Sequence, residues 1–298
     1  MSQLKSYTKL HLIIFIWGFT AVLGALIHLN YLVLTWYRMG LASVFLLFYI
    51  FLTSNERRLL FRFDIKQQMR YVLGGVIIAL HWLAFFYAIK VSNVSITLVT
   101  MSSGAFFTSL LEPALFKRKV FYHEIWLGLL ILVGFFVLLK VEHVNFTGVY
   151  FALIAAFLSG LFSVLNGLYI RQQSGVQLSF FQLFYGFLFL TAVLYFQGDL
   201  ASLPLPGFSD WVYLGILASI CTAYAFTESL IIMKNISPYT VMLSINLEPV
   251  YGIILAILVL GEQEQMPPGF YLGSLIILSI IILNGLIKYY SQKKHIYQ

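Results

Sequence analysis

The chain has 298 residues, of which 61% are hydrophobic, 17% aromatic and only 10% charged, and its mean hydropathy is +0.91. Soluble globular chains run at roughly 45–50% apolar and about 25% charged residues, so this composition excludes a soluble enzyme, a disordered chain and a nucleic-acid binder as first readings. The formal charge of +7 arises from 18 Lys and Arg against 11 Asp and Glu, and its meaning depends on where those cations fall.

In chain order, Lys5 and Lys9 precede an apolar run that begins at Leu10. The run is long, no small-x-small cleavage site closes it, and further runs follow, so it reads as a retained first membrane helix rather than a signal peptide. The spans predicted are Leu10–Leu29, Tyr31–Thr53, Tyr71–Lys90, Val94–Phe116, Glu124–Val141, Thr147–Ile170, Leu178–Phe196, Asp210–Met233, Pro238–Leu260 and Gly269–Lys288. Each is close to the roughly 20 residues that cross a bilayer core. Almost nothing separates the first two (Leu29-Asn30-Tyr31). One continuous helix of about 44 residues would reach roughly 65 Å, twice a bilayer, so the segment must turn back. The predicted fold class is an all-α membrane protein of ten transmembrane helices, with connections too short for a separate soluble domain.

Cations fix the predicted orientation. With a cytoplasmic N-terminus, the inner segments hold 15 Lys and Arg, among them Arg57, Arg58, Arg62, Lys66, Arg70, Lys117, Arg118, Lys119, Arg171 and Lys234. The outer segments hold Lys90 and Lys140, and Arg38 lies within a span. Acidic residues gather outside instead: Glu142, Asp199, Asp210, Glu262 and Glu264. The basic charge therefore sets topology and meets anionic headgroups, and no basic stripe remains for nucleic acid. A multi-pass protein of the cell membrane with both termini cytoplasmic is expected. Cys221 is the one cysteine, so neither an intrachain disulfide nor a cysteine metal site can form.

A shift of 145 residues lays Ser92–Lys140 on Ser237–Gly285 without a gap, keeping span ends and connections aligned; Leu127-Gly128 then meets Leu272-Gly273. Trp17-Gly18 faces Ser159-Gly160 at a shift of 142. Two units follow, 1–145 and 146–298, each of five spans. Five is odd, so the second unit enters the membrane the opposite way up. Inverted repeats of this sort hold substrate between them near the bilayer midplane.

These features carry a resemblance. The chain resembles the EamA family of the drug/metabolite transporter superfamily in its two five-span units, in Trp17-Gly18, Arg38 and the run FFYAIKVSN (Phe85–Asn93), and in LEPVYGIILAILVLGE (Leu247–Glu262). It departs at the end of the fourth span, where the family often has Gly-Glu and this chain has Phe116-Lys117. The resemblance implies a ten-helix basket that moves small metabolites, often outward, by alternating access.

Ionisable groups inside hydrocarbon are costly and mark candidate sites. They are Arg38, His81, Glu112, Glu228 and Glu248. Glu248-Pro249 stands near mid-depth in the ninth span, where proline removes a backbone hydrogen bond and frees carbonyls for a cavity. The carboxylate suits a proton or an ammonium group there, or a hydrogen bond to Asn246 or Ser244. Glu112-Pro113 repeats the dipeptide about four residues from the inner end of its span, beside Lys117–Lys119, where a structural ion pair is expected. Arg38 either snorkels outward or meets a substrate carboxylate; its counterpart at a shift of 144 is Gln182. His81 either titrates in a wet site or bonds a hydroxyl of the fourth span. Glu228 is expected to pair with Lys234. Thr97, Thr100 and Gly104 share a face at i, i+3, i+7, and with Ser103 they suit either a cavity wall or close packing. Trp82, Phe85, Tyr224 and Tyr251 suit a pocket for apolar or aromatic solutes. The substrate-contacting set expected is thus Glu248, His81, Trp82, Tyr224, Tyr251, Asn246, Thr100, Ser103 and Arg38.

No hydrolase, zinc-protease or nucleotide-binding motif is present, so catalysis, cofactor and metal are not expected. The function expected is secondary transport of small metabolites such as amino acids. An intramembrane enzyme on lipid-linked substrates and a non-transporting scaffold are the alternatives. The expected partners are a small-molecule substrate and the bilayer, with Gly269 and Gly273 offering a helix-contact face for a homodimer.

Overall fold

Asparagine, aspartate and serine mark where the helices of this chain begin, and their side chains satisfy backbone N–H groups that a helix start leaves open. In the computed structural model, which describes residues 3–53, 64–117, 119, 125–126, 129–130, 145–261, 268–269, 271–273, 275–276, 279 and 283, Asn30 accepts from the Val33 N–H, Asp64 from Lys66, Asn93 from Ile96, Asn145 from Thr147 and Ser237 from Thr240. These caps start α2, α3, α4, α6 and α10 of the helices α1 (Gln3–Leu26), α2 (Tyr31–Leu52), α3 (Ile65–Val91), α4 (Val94–Met101), α5 (Gly104–Phe116), α6 (Phe146–Tyr169), α7 (Gly175–Gln197), α8 (Phe208–Ala218), α9 (Ala225–Ile232), α10 (Pro238–Ile245) and α11 (Glu248–Leu260).

Eight of the predicted spans appear as helical segments long and apolar enough to cross a membrane. The predicted fifth and tenth spans fall largely outside the described residues, so ten helices is an expectation there. The near-absent link between the first spans is a four-residue turn, with α1 ending at Leu26 and α2 starting at Tyr31. Large apolar side chains such as Phe45, Phe48, Phe51, Phe157, Phe196 and Leu258 point outward, as lipid in place of water permits, while hydroxyls and charges turn inward.

Helices approach closely where glycine leaves room. A methyl group on Gly18 of α1 would lie 2.9 Å from Tyr251 Cβ and 3.2 Å from the Gly252 nitrogen of α11, and one on Gly75 of α3 would strike the Gln182 carbonyl of α7. Apolar burial drives little association between helices already in lipid, so such backbone contact is what binds them. It couples α1 to α11 and α3 to α7, each pair joining the first sequence unit to the second.

Three spans are irregular at mid-depth. The fourth breaks at Ser102-Ser103, between α4 and α5, and the ninth at Asn246-Leu247, between α10 and α11. These positions coincide within one residue at the shift of 145. The expected loosening by Pro249 is placed by the structure just ahead of it: Pro249 sits in the first turn of α11, where its missing N–H costs nothing. Pro113, by contrast, lies inside α5 without ending it. The two broken spans cross, α4 packing on α11 and α10 on α5. In the eighth span, residues Ser219–Tyr224 between α8 and α9 form a π-helical turn, a feature that often re-aims side chains at functional sites.

Candidate functional site

The irregular spans surround a cavity at mid-depth. Its walls come from α1 (Trp17, Thr20), α2 (Arg38), α3 (His81, Trp82, Phe85), α4 (Met101), α6 (Ser159, Phe162, Ser163), α9 (Phe226, Ser229, Leu230, Met233), α10 (Ile245) and α11 (Glu248). Both sequence units contribute. The space open to water-sized occupants is about 70 Å³, room for a few waters and less than the roughly 300–1,000 Å³ of ligand pockets. Admitting a metabolite therefore requires the walls to move, and long flexible Met101 and Met233 are among them.

Arg38 is the largest fully buried side chain, 1% exposed. The sequence left open whether it snorkels to the interface; it does not. Its guanidinium lies 3.9 Å from the centre of the Trp82 ring and 5.4 Å from that of Phe86, and Nε donates to Thr222 Oγ1 at 2.7 Å. That acceptor exists because of the π turn. Thr222 Oγ1 donates in turn to the carbonyl of Leu217, five residues back, at 2.6 Å, which keeps a lone pair aimed at Arg38. Cation–π contact and one hydrogen bond only partly replace water around a cation. Nη1 is buried with no hydrogen-bond partner among the described residues, so the guanidinium retains an unmet demand for an acceptor.

Glu248 answers across the cavity. Its carboxylate has no hydrogen-bond partner among the described residues; neither Asn246 nor Ser244 bonds it. It stands at the first residue of α11, where the exposed N–H groups of a helix start favour negative charge. A cation site and an anion site thus face one aromatic-walled space with no direct ion pair between them among the described residues.

His81 does not bond a hydroxyl of the fourth span. Its Nδ1 donates to the Ala155 carbonyl of α6 at 2.8 Å, and the ring lies edge-on to Phe162 at 5.2 Å. With Nδ1 carrying the hydrogen, a neutral ring offers Nε2 as an acceptor. Among the described residues, Ser159 and Ser163 donate only to the Met242 sulfur, at 3.8 and 3.3 Å. Thioether is a weak acceptor, so these hydroxyls can turn to a solute at little cost.

Other expected contacts lie elsewhere. Thr100 and Ser103 bond backbone carbonyls of their own span, those of Ile96 and Thr100, and do not line the cavity. Tyr224 is 44% exposed on the outer face of the bundle. Tyr251 packs edge-on to Phe15 at 5.5 Å beside the Gly18 crossing. Asn246 is buried at the break, its amide nitrogen unpartnered, but outside the lining set. Glu112 takes a structural role: it accepts from the Tyr239 backbone N–H at 2.6 Å, closing the first turn of α10. Glu228 pairs with Lys9 at 2.8 Å rather than with Lys234. Gln182, the counterpart of Arg38, bonds Asn166 Oδ1 at 2.6 Å, away from the cavity.

The lining residues that single-residue reasoning missed are Thr20, Met101, Phe162, Ser163, Phe226, Ser229, Leu230, Met233 and Ile245. Trp17 and Ser159 were flagged only as repeat counterparts. They meet because the repeat places equivalent positions on opposite walls, and that register was the available signal.

The sequence model of the EamA-like transporter family matches residues 5–140 and again 146–286. No curated protein matches the sequence. Among solved structures, a crystal structure described only as that of a protein aligns over 96% of this chain and 98% of its own, with a TM-score of 0.69 at 16% identity; at that identity the likeness concerns the fold. Two family matches covering nearly the whole chain, on a helical membrane bundle with a cavity lined from both sequence units, make this multi-pass membrane protein a member of the EamA-like transporter family.

Proposed function

We propose that the protein is a secondary transporter, exporting small zwitterionic metabolites with an apolar or aromatic body, such as amino acids. One observation carries the reading: buried Arg38, with Nη1 unpartnered, and Glu248, with no hydrogen-bond partner among the described residues, face one cavity walled by Trp17, Trp82, Phe85, Phe162 and Phe226. A carboxylate would satisfy Arg38, an ammonium group Glu248, and the rings would take the side chain. An occupant carrying both charges neutralises two groups that are otherwise costly at membrane depth.

Transport would proceed by alternating access, the two units rocking about the cavity. The breaks at Ser102-Ser103 and Asn246-Leu247 supply the give. Outward direction and a cell-membrane location with cytoplasmic termini rest on the family resemblance and the cation bias. Glu248 and His81 are the groups able to carry a coupled proton.

The test is flux into proteoliposomes of purified protein, using a panel of amino acids with and without a pH gradient. Saturable flux of at least one zwitterion above empty vesicles is expected, and stimulation by the gradient would add proton coupling. Transport confined to uncharged or purely anionic solutes, or to none, would overturn the reading.

A further inference from the structure

A second cavity, sharing no residue with the first, opens at the end of the bundle where α3 and α7 begin and α6 and α9 finish. Its volume is about 410 Å³, and its walls include Gln67, Tyr71, Arg171, Gln173, Gln177 and Lys234. Among the described residues, both charged groups lining it are cations and none of its walls is acidic. This is the end that the positive-inside bias predicts to be cytoplasmic.

Two polar atoms of its walls, Gln177 Nε2 and Gln173 Oε1, are buried in the fold without a hydrogen-bond partner among the described residues. Gln177 is 5% exposed, and its Nε2 donor has no hydrogen-bond partner. A buried donor left so is destabilising unless something accepts from it. Gln177 belongs to the first turn of α7 and lines the cavity together with the N-cap residue Ser174, so the positive helix end borders the same space. Tyr71 is held by stacking flat on Phe181 at 4.9 Å. Its oxygen accepts from Gln67 Nε2 at 2.5 Å, and its own hydrogen finds no acceptor among the described residues. Arg171 is positioned over the Phe116 ring at 5.1 Å. One atom has the opposite need: Gln173 Oε1 is a buried acceptor without a partner.

We propose that this cavity binds a phosphate-type oxyanion, either the headgroup of an anionic phospholipid or a small soluble phosphate. Several donors lining one space (Arg171, Lys234, Gln177 Nε2, the Tyr71 hydroxyl) suit a tetrahedral anion better than a two-oxygen carboxylate. The Gln173 acceptor calls for a hydroxyl in the same ligand, which a protonated phosphate or a glycerol headgroup has and sulfate lacks. Basic pockets between helices on the cytoplasmic side recognise anionic headgroups by this chemistry. The site is independent of the transport reading, since it shares no residue with the mid-depth cavity.

The test is thermal unfolding of the full-length protein in maltoside micelles and phosphate-free buffer, titrated separately with inorganic phosphate, short-chain phosphatidylglycerol and phosphatidylcholine of equal chain length. Phosphate or phosphatidylglycerol is expected to raise the midpoint by about 5 °C near saturation, with phosphatidylcholine well below it. A response to phosphate itself assigns a soluble ligand; a response to phosphatidylglycerol alone assigns the lipid headgroup. The double variant R171Q/K234Q and, separately, Gln177→Leu should each weaken the effect about tenfold in concentration while leaving the ligand-free midpoint near that of the parent. No shift with either anion, an equal shift with phosphatidylcholine, or undiminished shifts in both variants would overturn the assignment.

Discussion

The same dipeptide, Glu-Pro, occurs in both broken spans, yet the two copies perform different work. Glu112 is 4% exposed and accepts from the Tyr239 N–H, tying α5 to the start of α10. Glu248 opens α11, faces a cavity, and is bonded to nothing among the described residues. Both carboxylates are inside the membrane and both precede proline, so neither composition nor local pattern separates them. What separates them is what fills the space ahead: a backbone donor in one case, a cavity and a buried guanidinium in the other. A satisfied carboxylate stabilises a structure, whereas an unsatisfied one is available to a ligand.

The sharpest way to break this contrast is to remove each charge. Glu248→Gln is expected to lower transport about 10- to 100-fold, the factor carried by a lost charge-assisted hydrogen bond, with little change in unfolding midpoint. Glu112→Gln, whose amide oxygen still accepts from Tyr239, should leave flux near that of the parent in the same vesicle assay. Equal losses would end the distinction. Arg38 extends the test: Arg38→Gln should match Glu248→Gln in flux, while Arg38→Lys, which keeps charge but cannot reproduce the guanidinium fork, should lose about tenfold. Full activity in Arg38→Lys would show that a point charge suffices.

Smaller effects test the structural member of the pair. Glu112→Ala strands a buried N–H and should destabilise the protein by about 1–3 kcal/mol, read as a lower denaturation midpoint in detergent. Lys9→Gln breaks the bridge to Glu228, whose side chains are 33% and 21% exposed; half-wet pairs are worth roughly 0–1 kcal/mol, so the midpoint should barely move and should become less sensitive to salt. A loss as large as that of Glu112→Ala would mean that this bridge holds the bundle end closed.

Much of the architecture could be read from the chain because membrane solvent imposes simple rules. Eight apolar runs became helices near their expected bounds, and Asn30, Asn93 and Asn145 began helices where short polar residues precede apolar stretches. At the 145-residue register the breaks in the fourth and ninth spans correspond within one residue, which the sequence did not announce, since the first falls at Ser102-Ser103 without a proline. The π turn at Ser219–Tyr224 had no sequence signal, because its cause is tertiary: Thr222 must reach both Leu217 and Arg38.

From the order of residues alone came the class of protein, the duplication, and the short roster of ionisable groups within the membrane, since hydrocarbon forbids unpaired backbone and penalises every charge wherever it lies. Only the packed bundle decided which members of that roster meet. Arg38 and Glu248, 210 positions apart in the chain, were brought to one cavity, and Thr100, Ser103 and Tyr224 were turned away from it. The physical reason is rotation about each helix axis, which glycine crossings such as Gly18 on α11 and Gly75 on α7 set, and which no single helix specifies by itself.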